Sequence, residues 1–117
     1  MATYTKRALS GSTNGKGIKV AATATPGTTI HTAVSGTSDW DEIWIYAYNS
    51  DSSPIQLTLE WGEATVPDGN IKVDLPAVAG LQLIVPGLLL QNSLVLKAFA
   101  DTTNLVIVQG FVNRITA

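Results

Sequence analysis

Short segments rich in β-branched and aromatic residues, separated by turn residues at regular intervals, constrain the fold of this chain most. Such spacing predicts antiparallel strands with tight connections. Strands are predicted near residues 17–24, 29–35, 42–49, 55–62, 70–75, 80–85, 93–100 and 104–115. The turns between them include Pro26-Gly27, Pro67 to Asn70 and Pro86-Gly87. No segment of ten or more residues has a convincing helical period, so little helix is expected.

Alternation of apolar and polar residues in two segments predicts strands that are buried on one face. The residues that share the predicted buried face are Ile55, Leu57, Leu59 and Trp61 in the first segment and Ile71, Val73 and Leu75 in the second. Residues 43–48, 81–85 and 105–108 are apolar on both faces, which predicts central or covered strands. About eight antiparallel strands in one domain predict an all-β, two-sheet sandwich of jelly-roll type, with a closed barrel as the alternative.

The length of 117 residues is that of one domain. Residues 1–16 are polar and rich in Ser, Thr and Gly, which predicts an extended N-terminal arm. Residues 17–117 are predicted to form a single β-sandwich domain. The net charge of -2 gives no electrostatic footprint for nucleic acid, and no apolar segment reaches the ~20 residues of a membrane span. Neither nucleic acid nor a membrane is therefore an expected partner.

The charged residues are unevenly distributed along the chain. Residues 1–38 carry a net charge of +4, whereas residues 39–117 carry a net charge of -6. The basic residues of the first part are Lys6, Arg7, Lys16 and Lys19. This division is either chance in a lightly charged chain or the mark of a basic arm that contacts an acidic neighbouring subunit. On the second hypothesis these four residues attach the protein to its partner.

Residues that could carry catalysis are scarce. The chain has no cysteine, and its single histidine, His31, is expected to be a hydrogen-bonded structural residue on a strand. Asp39 and Asp41 are expected to cap a strand and stay solvated rather than bind an ion. Glu60 and Glu63 are expected on the polar face of an edge strand rather than as a glycosidase pair. The sequence therefore predicts no enzyme, no cofactor and no metal site.

Aromatic residues give a better indication of function. Trp44, Tyr46 and Tyr48 alternate along one predicted strand. These side chains are expected either to pack in the core or to be exposed. If they are exposed, they form a protein interface or, together with Trp40, a surface on which sugars stack. The interface between copies is the role predicted for Trp44, Tyr46 and Tyr48. Arg114 is expected either to pair with an acidic residue or to contact a partner.

Seven segments together carry a family resemblance and cover nearly the whole chain. They are residues 6–12 (KRALSGS), 17–20 (GIKV), 25–33 (TPGTTIHTA), 41–49 (DEIWIYAYN), 57–62 (LTLEWG), 83–100 (LIVPGLLLQNSLVLKAFA) and 110–115 (GFVNRI). The pattern resembles small virion proteins of tailed bacteriophages that are encoded among the head genes. These motifs are structural rather than catalytic.

The resemblance implies a capsid decoration or cement protein. Such a protein is a non-enzymatic β-sandwich that binds the major capsid protein on the outside of the shell, often as a homotrimer. The resemblance also implies synthesis in the host cytoplasm and a final place on the virion surface. Two alternatives stay open: another virion component, such as a head–tail connector, tail or fibre-associated protein, and a carbohydrate-binding module with a possible ion at Asp39 and Asp41.

Overall fold

The computed structural model describes residues 2–117 and has nine strands in two antiparallel sheets. In chain order the strands are β1 (Thr3–Ala8), β2 (Ile18–Lys19), β3 (Thr28–Thr32), β4 (Trp40–Asn49), β5 (Ile55–Trp61), β6 (Asn70–Leu75), β7 (Gln82–Leu90), β8 (Val95–Ala100) and β9 (Val106–Thr116). No helix that is long and apolar enough to span a membrane occurs among these residues.

The two sheets have different strand orders and pack face to face. The five-stranded sheet has the order β1–β9–β4–β7, and β2 pairs with β9 on the same edge as β1. The four-stranded sheet has the order β3–β8–β5–β6. Two separate antiparallel sheets confirm the predicted sandwich, and the closed-barrel alternative is wrong.

The core lies between the sheets and consists of inward-facing aliphatic side chains. As the alternation predicts, Ile55, Leu57, Leu59 and Leu75 are at most 2% exposed, and the other apolar residues of this face, Trp61, Ile71 and Val73, pack partly buried against them. The prediction that β5 is buried on one face only is wrong, because Thr58 on its polar face is also buried. The five-stranded sheet supplies the opposite half of the core through Ile43, Ile45, Ala47, Val106, Val108 and Val112. Full burial of each large aliphatic side chain contributes about 1.5–3 kcal/mol. These side chains are therefore the main source of stability.

The N-terminal residues form a strand that the sequence does not predict. Strand β1 pairs with the last residues of β9, and all six of its residues are exposed. Because neither face of β1 is buried, its sequence shows no alternation that could indicate a strand. The strand predicted at 17–24 is reduced to two residues, Ile18–Lys19. The division into an arm (1–16) and a domain (17–117) stays a prediction.

Strand β7 corrects two predictions. The sequence predicts a turn at Pro86-Gly87, whereas the strand continues through both residues to Leu90. It also predicts a central or covered strand, but β7 lies at a sheet edge. Proline is tolerated there because an edge strand has no neighbour on one side. Two register shifts against β4 and a φ of 81° at Gly87 accommodate the irregular backbone. The same two-sided apolar pattern correctly predicts that β4 is central, between β9 and β7.

Strands β9 and β4 approach too closely at Gly110 for any side chain. A Cβ at this position would overlap the carbonyl oxygen of Trp44 and lie 3.3 Å from the Cα of Ile45. We expect Gly110→Ala to lower the free energy of unfolding by about 1–3 kcal/mol, because backbone atoms must move to accept the methyl group. Urea denaturation of the two proteins measures this difference. The control is Gln109→Ala, at the half-buried neighbouring residue, with an expected change within about 0.5 kcal/mol. Equal losses in both variants would contradict the proposed close approach.

Candidate functional site

Three aromatic side chains lie on the outer surface of the five-stranded sheet. Alternate residues of β4 point into the core, so Trp44, Tyr46 and Tyr48 point outward, and each is half-buried. Of the alternatives for these three residues, core packing therefore does not apply. Their role as an interface between copies stays a prediction.

A row of stacked side chains crosses this surface through Trp44. Phe111 lies directly opposite on β9, with the two ring centroids 5.9 Å apart and the rings inclined by 9°. On the far side of Phe111, the ammonium group of Lys6 lies 4.6 Å from the ring centroid, a cation–π contact. On the other side of Trp44, β7 approaches so closely that a Cβ on Gly87 would lie 3.0 Å from Cζ2 of the indole. The row therefore connects four strands.

Hydrogen bonds fix the position of the Trp44 ring. Its Nε1 donates to Oε1 of Glu42 over 2.7 Å, and Asn113 donates to the same oxygen over 3.0 Å. The hydrogen bonds from Asn113 and Trp44 hold the pKa of Glu42 below its ordinary value, against a smaller opposing effect of burial. Sugar stacking requires an open ring face, whereas Phe111 and Gly87 flank this ring on both sides. The geometry therefore does not support Trp44 as a sugar platform.

Leucines of β7 extend the apolar surface beyond the residues that the sequence singles out. Leu83 lies opposite Tyr46 and Leu89 opposite Glu42, and they are 48% and 46% exposed. The sequence does contain a signal for this larger apolar surface, because residues 75–96, which include β7, contain no charged residue. We define the outer aromatic face as Trp44, Tyr46, Tyr48, Phe111, Leu83 and Leu89. Exposed apolar surfaces of this kind indicate protein association.

The predicted attachment residues all lie along one edge of the five-stranded sheet. They are Lys6, Arg7, Lys16 and Lys19, and all four are exposed. Lys6 and Lys19 lie opposite Asn113 and Ile107 of β9, on the same side of the sheet as the outer aromatic face. Arg7 alternates to the other side of β1, and Lys16 lies in the connection to β2. We call these four residues the basic edge.

Asp41 is fully buried, so the prediction of a solvated capping residue is wrong. Its Oδ1 accepts a hydrogen bond from Nε of Arg114 over 2.8 Å. Its Oδ2 accepts hydrogen bonds from Nη2 of Arg114 (3.0 Å), from Nε2 of His31 (2.8 Å) and from the backbone N–H of Val34 (3.0 Å). Of the two alternatives for Arg114, the structure shows the ion pair. Because His31 is on β3 whereas Asp41 and Arg114 are on β4 and β9, the cluster joins the two sheets.

The possible ion site at Asp39 and Asp41 is not supported. The carboxylate of Asp41 is committed to the cluster, and Oδ1 of Asp39 accepts a hydrogen bond from the backbone N–H of Ala117 over 3.0 Å. Within residues 2–117, no group of three or more histidine, aspartate or glutamate residues could hold a metal ion.

His31 is buried and hydrogen-bonded at both ring nitrogens, which confirms the predicted structural role. Nδ1 accepts the backbone N–H of Ser10 over 3.0 Å. Since a backbone N–H can only donate, the proton of the neutral ring is assigned to Nε2, which donates to Asp41. The hydroxyl of Ser10 in turn accepts the backbone N–H of Thr32 over 2.7 Å. The cluster therefore also fixes the chain just after β1.

A second buried carboxylate lies at a cavity of about 270 Å³ on the outer side of the four-stranded sheet. Glu60 and Glu63 both line this cavity, with Lys97. Glu60 is 3% exposed on β5, between β8 and β6, so its prediction as an edge-strand residue is wrong. Its two oxygens accept hydrogen bonds from Oγ1 of Thr25 (2.6 Å) and the backbone N–H of Gly27 (2.7 Å). These contacts give Glu60 a structural role, because they fasten the segment before β3.

The pH dependence of stability tests the Asp41 cluster. Burial raises the pKa of Asp41, but the hydrogen bonds from Arg114 and His31 and the charge of Arg114 outweigh it and lower the pKa below 3.8. A depressed folded-state pKa gives stability that is present above the unfolded-state pKa and lost as pH falls through the folded-state pKa. We expect Asp41→Asn to lower the free energy of unfolding by roughly 3 kcal/mol at pH 7. The difference from wild type should shrink as the pH falls below 3.8.

Urea denaturation between pH 7 and pH 2.5 measures this dependence. The matched control is Asp74→Asn, at an exposed carboxylate, which should change the free energy of unfolding by less than about 0.5 kcal/mol at pH 7. A difference between Asp41→Asn and wild type that stays constant across this pH range would contradict the assigned contacts.

Comparisons with protein-family models, with curated proteins and with solved structures found no match for this chain. The resemblance to tailed-phage virion proteins stays a prediction from the sequence. The outer aromatic face and the basic edge are candidate interaction surfaces on their geometry alone.

Proposed function

We propose that this chain is a non-enzymatic structural protein that binds the outside of a tailed-phage capsid as a homo-oligomer and stabilises the shell. The outer aromatic face is the observation that carries the proposal, because aromatic and aliphatic side chains lie partly exposed side by side on one sheet. Tyr and Trp are enriched at the centres of protein interfaces. The partner assigned to this face is a second copy of the chain.

Self-association through the outer aromatic face gives each subunit the same contacts. Most soluble homo-oligomers have closed symmetry, in which every copy buries the same surface. Trp44, Tyr46 and Tyr48 form the aromatic centre, and Leu83 and Leu89 extend it toward β7. The trimer is the closed state that the family resemblance implies, and it is part of the proposal.

The basic edge is the proposed contact to the major capsid protein. Its four exposed cations lie beside the outer aromatic face, so an oligomer presents several such edges at once. Repeated weak contacts on a lattice reinforce one another through effective concentration. A protein that binds only the assembled shell stabilises that shell by mass action.

The strand order supports a jelly roll as the finer description of the sandwich. Without β1, the strands β2–β9–β4–β7 face the strands β3–β8–β5–β6. Two Greek keys of four strands each give such an eight-stranded, two-sheet arrangement, which occurs in viral capsid proteins and lectins. Fold alone does not assign a function. A head–tail connector or tail part would use the same sandwich, and the position on the particle distinguishes these alternatives.

A charge placed on the outer aromatic face tests self-association. We expect Leu83→Asp to weaken the association of copies roughly tenfold or more, because burial of an unpaired carboxylate in an apolar interface is unfavourable. Light scattering should give the mass of three chains for the wild type and lower masses for the variant at the same concentration. Val66→Asp is the control, since Val66 is 66% exposed in the loop before β6. A monomeric wild type would contradict the proposed self-association.

Shells that lack this protein test the capsid contact. Addition of the wild type should raise their melting temperature, and the effect should weaken at high salt if the basic edge makes the contact. Leu83→Asp should bind the same shells more weakly, because each monomer carries a single basic edge. Wild-type protein that forms trimers yet leaves the shells unchanged would contradict the capsid role and favour another virion component.

A further inference from the structure

Strand β1 is attached to the rest of the molecule along one side only. Its backbone pairs with β9, in a register that runs from Thr3 opposite Thr116 to Ala8 opposite Phe111. All six of its residues are exposed. Thr5 and Arg7 alternate toward the core side of the sheet, yet they are also exposed, so the four-stranded sheet does not cover β1. Both faces of this strand are therefore free to contact another molecule.

The chain is fastened firmly to its own sandwich immediately after β1. Leu9 is 2% exposed and belongs to the core. The backbone N–H of Ser10 donates to His31, and the N–H of Gly11 donates to the carbonyl oxygen of Ile30 over 2.9 Å. A Cβ on Gly11 would lie 2.7 Å from that oxygen, so the two backbones are in close contact. If β1 leaves β9, the movement must therefore occur at the junction of Ala8 and Leu9.

The side chains near the edge of β9 that β1 occupies include an aromatic ring and a carboxylate. Lys6 lies over the ring of Phe111, and Glu42, beyond Asn113, places a carboxylate two strands away from Lys6. A β1 strand from a second copy reproduces these contacts without any change in sequence. By contrast, direct pairing of two β1 strands would bring basic Lys6 and Arg7 side chains together, which like-charge repulsion disfavours.

We propose that in the homo-oligomer β1 leaves its own β9 and pairs with β9 of a neighbouring copy in the same register. This inference rests on the self-association proposed above. Exchange retains the ladder of backbone hydrogen bonds and connects the two copies through the chain at Ala8 and Leu9. Because the register is the same, Lys6 and Arg7 stay as exposed as they are in the single chain and can still contact the capsid. Exchange of an identical element is a low-cost route to oligomers, because the exchanged strand makes contacts between copies that it already makes within the single chain. The outer aromatic face and the exchanged strands then form one interface, because Lys6 and Trp44 contact the same Phe111 ring.

A cross-link between β1 and β9 tests the exchange. The chain has no cysteine, so a pair of introduced thiols reports on one contact only. Tyr4 lies opposite Ile115 and is 73% exposed, which makes the double variant Tyr4→Cys, Ile115→Cys well suited. After oxidation of the oligomer, denaturing electrophoresis without reductant should show covalently linked chains. Light scattering under reducing conditions gives the oligomeric state of the same sample.

The double variant Trp40→Cys, Ile115→Cys is the matched control. Trp40 lies opposite Ile115 on β4, within the body of the same sandwich, so its cross-link should stay within one chain. Linked chains in the β1 variant, with single chains in the control, support the exchange. An oligomer whose β1 cross-link stays within one chain overturns the exchange and leaves the proposed self-association intact. A monomer under reducing conditions overturns both.

Discussion

A buried carboxylate on the central strand β4 holds together parts of this protein that are far apart in sequence. Asp41 accepts four hydrogen bonds, which come from Arg114, His31 and the backbone of Val34. A buried charge is tolerated when it is paired and fully hydrogen-bonded, and it becomes strongly unfavourable when one partner is removed. The partners come from β3, the residues just after it, and β9. The same contacts therefore fix one sheet against the other and, through Ser10, the start of the chain.

This fixed geometry connects the interior to the proposed interaction surfaces. Alternate residues of β4 lie in the core and on the outer aromatic face. The packing that fixes the core side chains therefore also fixes the backbone that carries Trp44, Tyr46 and Tyr48. The row Lys6, Phe111 and Trp44 extends this fixed geometry to β1 and the basic edge. A surface whose side chains are already held in place loses less conformational entropy when it binds. Such a surface suits the proposed binding to a second copy of the chain.

The architecture could be predicted because it depends on local patterns. Strands β5 and β6 alternate cleanly, and turn residues separate most strands, so a sandwich follows from the sequence. The burial of Asp41 and Glu60 could not be predicted, since their partners Arg114 and Thr25 lie 73 and 35 residues away. Strand β1 gives no signal because neither of its faces is buried. Pro86 is typical of a turn, but an edge strand tolerates it as well. The sequence alone therefore could not show that β7 continues through this residue.

The protonation of the His31 ring tests the central role of the Asp41 cluster most directly. The chain has one histidine, so a long-range ¹H–¹⁵N NMR spectrum of the folded protein shows a single imidazole. From these contacts we predict that the ring carries its proton on Nε2, which donates to Asp41, and that Nδ1 accepts the Ser10 N–H. A neutral ring with the proton on Nδ1, or a ring protonated on both nitrogens, would contradict this arrangement, because Nδ1 would then have no lone pair for Ser10.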